Sequence, residues 1–158
     1  MSENRIVIRK IRRYEIPDVK KLFLLNSPLY FDPLQQENLS DFLDKHFQNY
    51  LIIELDNEII GGGGYWVSYT KTAFINWLMV PPAFKNQGFG SLILQQIIRE
   101  IRKNKSIRTI EALTSQYSYN FFLKHGFMQI DMRKDFWGDG LDLHKMQITY
   151  KKEWVKFG

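Results

Sequence analysis

Apolar residues recur along this chain with two different periods, and each change of period marks a new element. Between Arg5 and Ile11, Ile6 and Ile8 share one side of a first strand. From Tyr14 the spacing of Val19, Leu22 and Phe23, with Leu25 beyond, becomes helical. Pro17 falls in the first turn, where its missing N–H would be unpaired anyway, and Glu15 and Asp18 suit the positive end of the helix dipole. Asn26–Pro33 carries two prolines and two aromatics and reads as a loop. Leu39, Phe42, Leu43, His46 and Phe47 form the apolar side of a second helix over about Leu34–Gln48. Tyr50–Leu55 is a nearly continuous apolar strand, Asp56-Asn57 a turn, and Glu58-Ile59-Ile60 opens the next strand.

Gly61-Gly62-Gly63-Gly64 interrupts that strand. A phosphate-binding loop would lead into a helix and carry a Gly-Lys-Ser/Thr ending; Tyr65–Thr70 has strand composition instead. The run therefore reads as a strand with a bulge, or with another group in close approach. After a turn at Lys71-Thr72, Phe74–Val80 forms a central strand, followed by Pro81-Pro82 and Lys85-Asn86-Gln87-Gly88-Phe89-Gly90-Ser91. A helix follows, with Leu94, Ile97, Ile98 and Ile101 on its dry side. Ile107–Leu113 is another strand; Thr114-Ser115 can cap a helix over about Gln116–Lys124, closed by Gly126. Met128–Met132 is a strand, Arg133–Leu143 an irregular hairpin, and the alternation of Met146, Ile148 and Tyr150 a closing antiparallel strand. The order β-α-α-β-β-β-α-β-α-β-β predicts one α+β (mixed α/β) domain over residues 1–158, a mixed sheet covered by helices.

Composition narrows the chemistry. With 44% hydrophobic residues in 158, the chain can bury a single core, and no apolar run approaches a membrane span. The polar start Met1-Ser2-Glu3-Asn4 lacks a signal-peptide core, so a cytoplasmic location and no membrane partner are expected. The absence of cysteine excludes disulfides, thiolate ligands and a cysteine nucleophile. His46, His125 and His144 show no ligand spacing, so no metal is expected. The formal charge of +5 concentrates in Arg9–Arg13 and Arg99–Arg108. These read first as solvated faces; without a helix-turn-helix, zinc or ribonucleoprotein motif, a nucleic-acid-binding module is disfavoured. The strand–proline–glycine–helix stretch is more specific. Glycines leave the backbone N–H groups of Asn86–Ser91 open at a helix start, where unpaired donors and the dipole favour an anion such as a diphosphate.

Three blocks resemble the GNAT superfamily of acyl-CoA-dependent N-acyltransferases. The family's diphosphate loop is a basic residue or glutamine, two variable residues, glycine, one variable residue, then glycine or alanine; here it reads Lys85-Asn86-Gln87-Gly88-Phe89-Gly90. Asn120-Phe121-Phe122-Leu123-Lys124-His125-Gly126-Phe127 is similar to the family's aromatic helix ending in Lys-x-Gly-Phe, and Phe136–Met146 to its closing hairpin. The resemblance covers nearly the whole chain. It implies a mixed, mostly antiparallel sheet of about seven strands with about four helices, and direct transfer of acetyl from acetyl-CoA to an amine of a small molecule, peptide or protein.

By the same resemblance, Lys85, Asn86, Gln87, Gly88, Phe89, Gly90 and Ser91 hold the diphosphate, while Leu78, Met79 and Val80 pair with the pantetheine. The Met79 N–H serves as the oxyanion donor. Asn120, Phe122 and Lys124 are further cofactor contacts. Many family members use a glutamate on the central strand as base and a tyrosine four residues before the Gly of Gly-Phe as acid. Asn76 and Phe122 stand at those places. Asn76 can position a water, and Tyr119, one turn before Phe122, is the candidate acid, with Tyr117 nearby. Asp32, Glu37, Asp135, Asp139 and Asp142 are candidate bases, and Tyr30, Phe31, Tyr65, Trp66, Trp77 and Trp137 candidate walls of an acceptor pocket. A homodimer is compatible with this reading. A CoA-binding sensor that lost its acid and base is the alternative.

Overall fold

In a computed structural model, which describes residues 5–151, the sheet runs in the order β1-β2-β3-β4-β5-β7-β6. Met1–Asn4 lies outside the described residues. Its elements are β1 (Ile6–Lys10), α1 (Ile16–Leu25), α2 (Gln36–His46), β2 (Tyr50–Leu55), β3 (Glu58–Val67), β4 (Thr72–Met79), α3 (Phe89–Arg102), β5 (Thr109–Thr114), α4 (Tyr119–Lys124), β6 (Met128–Gly138) and β7 (Leu141–Thr149). Among the described residues these seven strands and four helices follow the expected order, and β4 with β5 is the one parallel pair. Arg9 ties the first strands to the turn before α1, bonding Glu15 and Glu54, both at 2.6 Å.

One expectation is corrected. Gln116, Tyr117 and Ser118 form a turn rather than helix: the N–H groups of Ser118 and Tyr119 both bond the Ser115 carbonyl, and the Ser115 hydroxyl accepts from the Tyr117 N–H at 3.3 Å. Arg133–Leu143 is irregular, as expected: between Arg133↔Leu143 and Gly138↔Leu141 the register shifts so that Lys134–Trp137 face only Asp142, Asp135 is left-handed, and β6 and β7 meet at a two-residue Asp139-Gly140 turn with Gly140 also left-handed. Asp-Gly is a favoured two-residue hairpin turn.

One face of the sheet packs against Ile93, Leu94, Ile97 and Ile101 of α3. The other packs against Val19, Leu22 and Phe23 of α1 and Leu39, Phe42 and Leu43 of α2. Each such side chain contributes about 1.5–3 kcal/mol by leaving water. The glycine run lies between these layers. A Cβ on Gly62 would lie 2.6 Å from the Tyr50 ring, and one on Gly63 would lie 3.0 Å from Ile97. Close approach explains the glycines, and the register shift lies here as well. Gly62 pairs with Met79 and Gly64 with Asn76, so Trp77 and Leu78 together oppose Gly63.

That bulge puts Trp77 at φ 55°, a conformation bulky residues rarely adopt. The buried Tyr50 hydroxyl donates to the Trp77 carbonyl at 2.9 Å and holds it there. Burial pushes the phenol far above its ordinary pKa, so it remains a donor. Tyr50→Phe leaves this carbonyl without its partner and is expected to cost about 1–3 kcal/mol. Urea unfolding checks this; an unchanged midpoint would remove Tyr50 as the clamp.

Candidate active site

The bulge decides where the sheet opens. β4 and β5 pair only from Thr72↔Thr109 to Ile75↔Ala112. Beyond Ile75, β4 continues through Trp77 to Met79, while β5 stays paired with β7 as far as Thr114↔His144. The carboxyl ends of two parallel strands therefore part, a common place for a ligand crevice in sheets with parallel strands. A cavity of about 690 Å³ occupies the gap, walled by Asn76–Val80 on one side and Ala112–Ser115 on the other.

At one end stands the glycine loop. Asn86 (φ 64°) and Gly88 (φ 87°) are both left-handed, and α3 begins at Phe89. Its first-turn N–H groups have no helical partner. Lys85, Asn86, Gly88, Phe89, Gly90 and Ser91 line the cavity; Gln87 does not, and its side chain donates back to the Ala83 carbonyl at 3.4 Å. The Lys85 ammonium sits 3.6 Å above the Tyr30 ring, and burial lowers its pKa. The Ser91 hydroxyl is 2.9 Å from Nε2 of His125.

The rest of the wall is aromatic and polar. Phe31 and Trp77 pack with ring centroids 5.6 Å apart, and Tyr30 meets Tyr117 edge-on at 5.2 Å. Asn26, Gln35, Asn38 and Asp32 supply polar groups, and Asp32 is the carboxylate among the described lining residues. One Asp32 oxygen accepts from the Leu34 N–H at 2.9 Å; the other lies against Gly138, where a side chain would collide with it. The β6–β7 hairpin is docked by Trp137, whose indole donates to the Thr114 carbonyl at 3.1 Å. Gln116 fixes its tip, donating to the Gly140 carbonyl at 2.5 Å and accepting from the Asp142 N–H at 2.9 Å.

The structure thus gathers Asn76, Leu78, Met79, Val80 and Phe122 with the loop, and Tyr30, Phe31, Trp77 and Trp137 around the same cavity. Others fall elsewhere. Tyr119, expected on the face of Phe122, packs against His144 at 5.1 Å and does not line the cavity; Tyr117 does. With α4 starting only at Tyr119, the turn before it carries Tyr117 inward. Asn120 and Lys124 are exposed and outside the lining. Trp66 stacks on Phe74 at 4.7 Å, and Tyr65 packs against the α3 core. Glu37 and Asp139 are off the cavity, while Asp135 and Asp142 bond hairpin N–H groups. Thr114, Ser115, Tyr117 and Ser118 line the site as a second wall. Their signal was positional: they follow a strand parallel to the central one.

Residues 18–127 match the model of the acetyltransferase (GNAT) family. The chain belongs to that family. It is therefore placed among acyltransferases, and the parted strands, glycine loop and Gly126-Phe127 block are this GNAT chain's own version of the fold. The GCN5-related N-acetyltransferase 3, chloroplastic, of Arabidopsis thaliana is 34% identical over 105 residues, 65% of this chain and 44% of the plant protein. The chain thus matches less than half the length of that relative. A ribosomal-protein-alanine N-acetyltransferase from Brucella melitensis superposes with a TM-score of 0.74 at 18% identity, over 91% of this chain and 99% of that one. A Mycobacterium tuberculosis protein solved in complex with CoA gives 0.73 at 19% identity, over 92% and 99%. At these identities the structural likenesses speak for the fold alone.

Gln116→Ala removes both bonds to the hairpin tip. Each bond of this kind is worth about 0.5–1.5 kcal/mol, so amide hydrogen exchange at Gly140 and Asp142 is expected to rise about tenfold or more. Unchanged exchange would mean that Trp137 alone docks the hairpin.

Proposed function

We propose that this chain transfers the acetyl group of acetyl-CoA directly to a primary amine carried by a small molecule, peptide or protein. The observation that carries this reading is the continuous gap between β4 and β5, joining the amides at the start of α3 to an aromatic end with one carboxylate. In this reading the first-turn N–H groups of α3 and the Lys85 ammonium bind the diphosphate. The pantetheine lies along Leu78–Val80, where Met79 is paired with Gly62 of β3 on one side and the pairing with β5 has ended on the other. The Met79 N–H polarises the thioester carbonyl, so negative charge developing on its oxygen is met by a fixed donor. Phe122 packs beside the acyl arm.

The ammonium first gives up one proton; the free amine nitrogen then attacks the carbonyl carbon, the C–S bond breaks, and the second proton, lost from nitrogen as the amide forms, goes to the CoA thiolate. Asp32 attracts the cationic acceptor and, directly or through a water held by Asn76, receives the first proton. Tyr117 offers the hydroxyl facing the leaving thiol. No helix among the described residues is long and apolar enough to cross a membrane, and a cytoplasmic setting, with its acetyl-CoA, suits this cysteine-free chain.

Gly88→Asp places bulk and negative charge where the diphosphate is held, at a left-handed position. Calorimetry with CoA should show loss of measurable binding in a folded variant; retained affinity would overturn the assignment of the loop. Thiol release from acetyl-CoA across an amine panel tests the reaction itself, and tight CoA binding without turnover on any amine would favour a sensor. For an active amine, Asp32→Asn should lower kcat/KM by about tenfold to a thousandfold, as expected for loss of a charge contact with or without a proton acceptor. Wild-type kinetics would exclude Asp32.

A further inference from the structure

His125 has no part in the reaction outlined above, yet it stands directly behind the cofactor loop. It follows the last residue of α4, and its imidazole Nε2 is 2.9 Å from the hydroxyl of Ser91, in the first turn of α3. Ser91 lines the cavity beside Gly88 and Gly90. The Phe121 ring, 4.9 Å away, backs the imidazole and also lies 3.5 Å from where a Gly90 side chain would begin. The histidine is thus held against the loop from both helices. The group facing it from α3 is the Ser91 hydroxyl, and from α4 the Phe121 ring; Lys124, its charged neighbour in sequence, is exposed.

We propose that His125 is a positioning residue for the diphosphate of the cofactor, acting through Ser91 and strengthening cofactor binding when it is protonated. The inference rests on the CoA reading of the loop. A serine hydroxyl has one proton to give. When the imidazole is neutral with Nε2 bare, that proton is donated to the histidine and turned from the cavity. When the imidazole is charged, its N–H donates to the Ser91 oxygen, the serine proton is freed toward the anion, and a positive charge stands behind it. Without ligand, burial lowers the pKa of His125 and favours the neutral arrangement. A bound diphosphate raises it again. Binding then takes up a proton, and affinity grows as pH falls toward the pKa of the free protein.

The test is calorimetric titration of the intact chain with CoA between about pH 5.5 and 8, in buffers of different ionisation enthalpy. The ligand's own phosphate titrates in this range, so His125→Gln is the reference: it keeps a hydrogen-bond donor and cannot charge. Wild-type affinity should rise on acidification by up to about tenfold more than that of the variant, one pKa unit of linkage, with a matching excess of proton uptake. Ser91→Ala, which leaves the histidine in place, should remove most of the same excess. Identical pH slopes and proton counts in the wild type and His125→Gln would overturn the inference while leaving the CoA reading intact. No CoA binding by the wild type at any pH would overturn both.

Discussion

The hydrogen bond from the buried Tyr50 hydroxyl to the Trp77 carbonyl is the contact on which the rest of the site depends. Trp77 and Leu78 occupy the space of one residue on β3, and a tryptophan in the left-handed region persists only when its surroundings hold it. The bulge ends the pairing of β4 with β5 just past Ile75. From that parting follow the cavity, the unpaired side of Leu78–Val80 and the placement of Trp77 among the aromatics that line it. A tyrosine in one hydrophobic cluster thus fixes the shape of a cleft in the middle of the sheet.

Much of this was legible in the residue pattern because it rests on local periodicity. The 3.6-residue spacing of α3 and the order of strands and helices needed only the chain itself. The glycine loop was readable for the same reason, since Asn86 and Gly88 impose their conformation locally. What sequence reasoning missed came from contacts across long separations. Spacing within α4 put Tyr119 on the face of Phe122, but Ser115 ties back the preceding turn, so the tyrosine that lines the cavity there is Tyr117. No spacing rule pairs Ser91 with His125, 34 residues apart. The irregular last hairpin, by contrast, was legible locally, in the aspartates and glycines between Arg133 and Leu143.

The electrostatics of the cleft are uneven. Lys85 and Asp32 both line it, and the ring that carries the Lys85 ammonium, Tyr30, stands two residues before Asp32. Opposite charges in one cleft suit a ligand that is anionic and meets a cation. The two charges are held differently. Asp32 is fixed by a backbone N–H and pressed against Gly138, whereas Lys85 rests on the face of a ring and remains free to turn to a stronger partner.

The run from Gly61 to Gly64 has a consequence for how this domain can change. Where side chains normally separate two packed layers, substitutions on one side are absorbed by repacking before they are felt on the other. Here Tyr50 presses on the backbone from one face and Ile93 and Ile97 from the other, with no side chain between them to yield. A larger residue on α3 at this level would push β3 itself toward Tyr50 and its hold on Trp77. The helix that begins at the glycine loop and the tyrosine that opens the cleft are therefore mechanically one unit, and variation in either is constrained by the other.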